Sequence, residues 1–175
     1  TVNIAIRPLF TPGEDYLSLL PGNRLPAMSS GKKEWWNYST RETADESFKE
    51  IFQLIERYAL PFFDATKSSD AILKAHRKNI LGMSRFGNKI YWGTTGWENF
   101  DFGHIYLKSN DPKNAIRQFE ICHKHFKNDD NEFCSNTAKK CLEIIEMIKS
   151  NPHDIDTYLN DTISQSIARL KLELW

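Results

Sequence analysis

Phe102-Gly103-His104-Ile105-Tyr106, followed by Ala115 and Phe119, is the stretch that decides how the second half of this chain folds. As a pattern it reads Phe-Gly-x-x-Tyr, eight further residues, then Ala-x-x-x-Phe. Two helices packed antiparallel need small residues where their backbones approach and large ones in the gaps beside them. Gly103 and Ala115 are the small residues; Phe102, Tyr106 and Phe119 are the large ones. Asn110-Asp111-Pro112 supplies the turn. The Asp111 carboxylate can accept from the opening amides of the second helix, and Pro112 suits its first position, where no N–H partner is needed. Ala115, Phe119, Cys122 and Phe126 then recur at three- and four-residue spacing, one face of a helix.

This spacing resembles a single tetratricopeptide-type repeat, over roughly Asn99 to Lys127. It departs at two positions. Asn99 stands where the repeat usually carries Trp or another large residue, with Trp97 two places early, and Lys127 stands where a helix-ending Pro is common. No second copy follows. One repeat cannot bury both of its faces, so neighbouring helices are expected to cover it.

Composition sets the outer limits. The 175 residues suffice for one sizeable domain or two small ones, and 40% hydrophobic with 13% aromatic content is enough for a packed core. Lys plus Arg and Asp plus Glu both number 23, so the formal charge is zero and a broad phosphate-binding surface is disfavoured. A clustered basic face of Arg77, Lys78, Arg85 and Lys89 would be required to revive nucleic-acid binding. No apolar run approaches the roughly 20 residues of a membrane span. Three Cys, an odd number, do not suggest a disulfide framework, and a reducing cytoplasm is the expected compartment.

Upstream of the hairpin, Thr1 to Arg7 alternates Val2, Ile4 and Ile6 with Asn3, Ala5 and Arg7, the period of a half-buried strand. A lone strand is not stable. Its partner is expected from Ile90-Tyr91-Trp92, from Trp35-Trp36-Asn37-Tyr38, or, preferentially, from residues preceding Thr1. Residues 8–33 form a long loop rich in Pro and Gly, yet apolar enough to pack. Trp35-Trp36-Asn37-Tyr38 is the densest aromatic stretch. Adjacent residues of an extended segment face opposite ways, so one Trp can bury while the other is exposed; the segment reads either as core or as a recognition surface. Arg24 lies in the loop before it, placed to stack on a Trp or to bind an anion.

Ser39-Thr40-Arg41-Glu42 fits a capping box. The helix it starts carries Phe48, Ile51, Phe52, Ile55, Tyr58 and Ala59 on one stripe and is expected to stop near Leu60-Pro61, with Phe62-Phe63 in a turn that plugs the core. Ser69 is placed to cap a further helix running to about Ile80. Gly82 and Gly87 have phosphate-loop spacing, but Asn88 follows and Lys89 comes one place late. After the hairpin, a helix is expected from about Glu132 to Ser150. A last helix, capped by Asp154, should carry Ile155, Leu159, Ile163, Ile167, Leu170 and Leu174 on one face.

No residue set promotes a reaction. Cys122, His123 and His125 are close in sequence, but on a helix His123 lies about 100° and His125 about 300° around the axis from Cys122, so the three cannot share a face. Cys122 and Cys141 instead continue core stripes, as buried free Cys commonly do. No nucleophile elbow and no paired-His zinc motif occurs. No metal or cofactor is expected.

The order of segments, from the Thr1–Arg7 strand through Pro8-Leu9-Phe10, Gly22-Asn23-Arg24-Leu25 and Trp35-Trp36 to a helix ending in Leu60-Pro61-Phe62-Phe63, resembles an uncharacterised bacterial family, domain of unknown function 4304. The resemblance covers roughly residues 1–65. It implies further α/β structure upstream and carries no catalytic residue with it.

The expectation is therefore an α+β fold: a small N-terminal sheet element (residues 1–95, with the long loop and two helices), then a TPR-like antiparallel helix stack (96–175), the two forming one continuous unit. The expected function is non-enzymatic protein–protein interaction in a bacterial cytoplasm, with an immunity or inhibitor protein as one concrete form. Its partner surface would be the concave side of the stack or the region of Arg24, Trp35, Trp36 and Tyr38. The alternative is an enzyme with a site between loops 8–33 and 82–96, using Arg24 and His104.

Overall fold

The computed structural model describes residues 3–6, 20–24, 36–77 and 96–170, the first two stretches and residues 76, 77 and 170 as backbone only. The α+β expectation is overturned, because the described chain is mostly helical. Its only extended pairing is between β1 (Asn3–Ile6) and β2 (Leu20–Arg24), which bond to each other alone. Such a ribbon is too small to act as a layer of the fold. The partner of the first strand thus comes from the 8–33 loop, not from the segments expected. The described helices fall into two compact units.

The first unit is built on α1 (Arg41–Leu54). Its capping box lies one residue later than the sequence suggests. Thr40 is the N-cap and Thr43, not Glu42, is its reciprocal partner: Thr43 N–H donates to Thr40 Oγ1 at 3.2 Å and Thr40 N–H to Thr43 Oγ1 at 3.1 Å. The helix does not stop at Pro61. It passes through a widened π turn, Ile55–Ala59, into α2 (Leu60–Ala65). Pro61 has no N–H, and its ring would crowd the carbonyl four residues back in a regular helix. The wider turn, closed by Leu60 N–H to Ile55 O, accommodates it without ending the helix. Thr66, its hydroxyl on the Phe62 carbonyl at 2.7 Å, then terminates α2. α3 (Ser69–Arg77) follows, its first turn capped by Ser68 and not Ser69: Ala71 N–H donates to Ser68 Oγ at 3.2 Å. Trp36, Ile51, Ala59, Phe62 and Ala75 form the core of this unit.

The second unit holds α4 (Gly96–Lys108), α5 (Pro112–Phe126), α6 (Glu132–Ser150) and α7 (Asp154–Leu170). The hairpin is the one read from the sequence. Phe102, Tyr106, Ala115 and Phe119 are all buried, and a Cβ added to Gly103 would overlap the Phe119 ring. α4 ends in a Schellman turn: Asn110 takes a left-handed φ of 54°, Asn110 N–H reaches Leu107 O, and Asp111 N–H reaches Tyr106 O at 2.9 Å. Asp111 caps α5 through Asn114 N–H at 3.2 Å, with Pro112 in the first turn. Trp97, early for the repeat pattern, stacks on Phe133 and leans on Phe126 (centroids 4.7 and 4.6 Å), tying the start of α4 to α5 and α6. Residues 100–107 of α4 are buried without exception, the signature of a central helix.

Candidate interaction surface

The sequence singled out the Trp35-Trp36-Asn37-Tyr38 segment, of which residues 36–38 are described. Trp36 faces inward, 9% exposed, among Ile51, Ala59, Phe62 and Ala75. Its indole Nε1 is buried with no hydrogen-bond partner. The backbone beside it is pinned to α1 by Ser47, whose hydroxyl donates to Asn37 O at 2.9 Å, while Asn37 Oδ1 accepts from Ser39 N–H at 2.9 Å. Tyr38 turns outward all the same, although strict alternation would put it on the side of Trp36, so the segment departs from a regular extended path before α1.

Tyr38 is 51% exposed, and its ring lies against Phe48, with centroids 5.7 Å apart. Phe48 is itself 51% exposed, and Phe52, one turn further along α1, is 63% exposed. The apolar stripe of α1 is therefore wider than its core contact. Ile51 and Ala59 occupy the buried centre, and the two Phe side chains lie at the margin facing solvent. Beyond the π turn, Leu60 and Phe63 are exposed as well, while Phe62 is fully buried with its ring edge-on to Phe63 at 5.6 Å. Only Phe62 plugs the core as expected of the pair.

The π turn also governs where these groups fall. In a regular α-helix a step of four residues overshoots a full turn by about 40°, so a row of such steps spirals away. A turn closed by an i→i+5 bond holds more residues and cancels part of that overshoot. Positions 48, 52, 56 and 60 accordingly keep to one side of the helix. Glu56 stands within the row, and Lys49, one position after Phe48, and Asp45, one turn before it, are both exposed.

The second unit offers no comparable face on its central helix. α4 is enclosed, which leaves it nothing to present on a concave side. His104, the candidate for the enzymatic alternative, is 0% exposed. Its Nδ1 lies 2.8 Å from Phe100 O and its Nε2 2.8 Å from the Tyr158 hydroxyl. A carbonyl only accepts, so the ring proton is on Nδ1 and Nε2 accepts from Tyr158. Burial, then the nearby Lys140 charge, hold its pKa down to about 4, against the raising effect of the Phe100 bond. A sealed, neutral, doubly bonded imidazole has no access to a substrate.

Cys122 points into the hairpin core while His123 is half-buried, bonded through Nδ1 to Ala138 O at 3.1 Å, and His125 is exposed, the divergence expected of their spacing. The hydrogen bond to Cys122, then burial, push the Cys141 thiol up, so Cys141 is not primed as a nucleophile. Among the described residues no group of three or more His, Cys, Asp or Glu is arranged to hold a metal, and no helix is long and apolar enough to cross a membrane. Trp35, the Arg24 side chain, the basic residues Arg77 to Lys89 and most of the 8–33 and 82–96 loops lie outside the described side chains.

The exposed Phe48–Phe52 pair is what sequence reasoning missed. Both residues fit the helical stripe of α1, and periodicity does not separate the margin of such a stripe from its buried centre. No family model, curated protein or solved structure matches this chain, so the functional reading rests on its own geometry.

Proposed function

We propose that this protein is a non-enzymatic binding module that docks another protein through the face made by Tyr38, Phe48 and Phe52. The observation that carries this reading is the exposure of three aromatic side chains on one rigid helix margin, two of them in ring contact. Aromatic groups exposed together are costly to leave in water and are favoured anchors when a partner covers them. Rigidity supports the same reading: the capping box, the Ser47–Asn37 bond and the buried Trp36 hold the face in place before binding, which lowers the entropy lost on association.

An immunity- or inhibitor-type protein is the concrete form we favour. Such a protein needs a complementary surface and no reactive group, in keeping with the sealed His104 and the raised thiol of Cys141. A bacterial cytoplasm suits its three free cysteines.

The test is affinity capture with the intact protein as bait, wild type against Phe52→Ser and Phe48→Ser, with circular dichroism confirming that each bait is folded. One stoichiometric partner retained by wild type and lost by both folded variants supports the reading. A partner retained equally by all three places binding elsewhere.

A further inference from the structure

α7 is held in the second unit by unusually little apolar contact. Among its described residues only Leu159 is a fully buried apolar side chain; the other buried positions are Thr162 and Ser166. α5, by comparison, buries Ala115, Phe119, Cys122 and Phe126. Thr162 spends its hydroxyl on its own helix, donating to Tyr158 O at 2.8 Å. A buried bond joins α7 to the central helix, from the Tyr158 hydroxyl to His104 Nε2 at 2.8 Å. It spans 54 residues of sequence.

The surroundings of that bond are sealed and largely apolar around the imidazole. Phe100 and Phe119 meet the imidazole edge-on at 4.6 and 5.0 Å. The groups of charge or titration around the pair are Asp101, three residues before His104 on α4 and buried; Lys140, Cys141 and Glu143 on α6; and Tyr158 itself. α5 faces it with the Phe119 ring. Lys140 lies with its ammonium 5.8 Å from the Tyr158 ring and 3.2 Å from Glu143 Oε2. Protonated His104 would carry N–H on both nitrogens, so the bond would have to reverse, with Nε2 donating to the Tyr158 hydroxyl oxygen. The hydroxyl would have to turn its proton towards Thr162, and a second positive charge would lie sealed in the contact near Lys140.

We propose that α7 is an acid-releasable cap: protonation of His104 reverses its bond with Tyr158 and seals a positive charge in the contact between α4 and α7, which frees α7 from the hairpin while α4, α5 and α6 stay packed. The sign follows from linkage. The docked state holds His104 at about 4 and the released state returns it towards 6.5, so the released state binds more protons between those values. Docking is at full strength above pH 6.5 and weakens progressively as the pH falls towards 4.

Hydrogen exchange resolved by segment, corrected for the pH dependence of intrinsic rates, reads this directly on the intact chain. The expected result is loss of protection in residues 154–169 between pH 6.5 and about 4, with α4 and α5 still protected, and a flat profile over that range in His104→Gln. Loss of protection in α7 and the hairpin together, or an unchanged profile in His104→Gln, overturns the proposal. If that variant does not fold, the wild-type imidazole titration followed by nuclear magnetic resonance decides. A ring that titrates below 6.5 in step with the α7 amides supports the latch, and one that titrates at or above 6.5, or out of step with them, overturns it.

Discussion

Gly103 lies directly beneath the ring of Phe119, so close that a single added methyl would overlap three ring carbons. The whole α4–α5 approach depends on this absence of a side chain. Gly103→Ala should therefore destabilise the second unit by about 1–3 kcal/mol, the usual range for overpacking, despite the better helix propensity of Ala. Phe119→Leu in the same chain should recover part of that loss. Chemical denaturation of the single and double variants measures the coupling, and strict additivity would show that the two residues do not share the space.

Asn110 is the one non-glycine residue among those described with a positive φ, and the Schellman turn requires it there. Asn110→Gly should leave thermal stability unchanged or raise it. Asn110→Ala should lower stability by about 1 kcal/mol, since a Cβ is disfavoured in left-handed backbone. Equal melting temperatures for the two variants would contradict this.

Trp36 is a core residue with an unpartnered indole N–H. Trp36→Ala should destabilise by about 3–5 kcal/mol through the cavity it leaves. Trp36→Phe should cost far less than that, because it fills most of the volume and removes a donor whose burial is already unfavourable. Any loss of binding by Trp36→Ala reports unfolding of the face and not a lost contact, which makes Phe52 the better probe.

Tyr158→Phe tests the buried pair at neutral pH. It leaves His104 Nε2 without its donor inside a sealed site, and the cost should be about 1–3 kcal/mol at pH 7, read by urea denaturation. A change under about 0.3 kcal/mol would show that the bond is not a structural tie.

Local chemistry was legible where one residue had one job. Gly103, Ala115 and Phe119 showed the hairpin through size alone, Asp111-Pro112 showed its cap, and the helix from Glu132 to Ser150 was bounded by polar turns that can be read directly. Legibility failed where two rules competed. Ser39-Glu42 and Thr40-Thr43 both satisfy capping chemistry, and the helix takes the second. Pro61 ordinarily ends a helix, but a π turn offers a way past it that no residue pattern announces. The Thr1–Arg7 alternation suggested a sheet, and the class followed from that one segment; its pairing with Leu20–Arg24 alone left the fold to the helices. In the candidate site, the aromatic stretch was visible, but which of its members faced water was not. Periodicity assigns a residue to a stripe, whereas exposure depends on how far the neighbouring elements reach across it, and Phe48 and Phe52 lie past that edge.

The central claim, that the Tyr38–Phe48–Phe52 face docks a protein, is tested most directly by placing a photo-crosslinking amino acid at position 52 in the native host. Position 142, where exposed Leu142 lies on α6, serves as the control. The account predicts one discrete crosslinked protein from position 52 and none from position 142, with crosslinking reduced at least tenfold by Phe48→Ser, the effect of losing about 1.4 kcal/mol at an anchor. A discrete product from position 142 with nothing from position 52 would contradict it and move the docking surface to the helical stack.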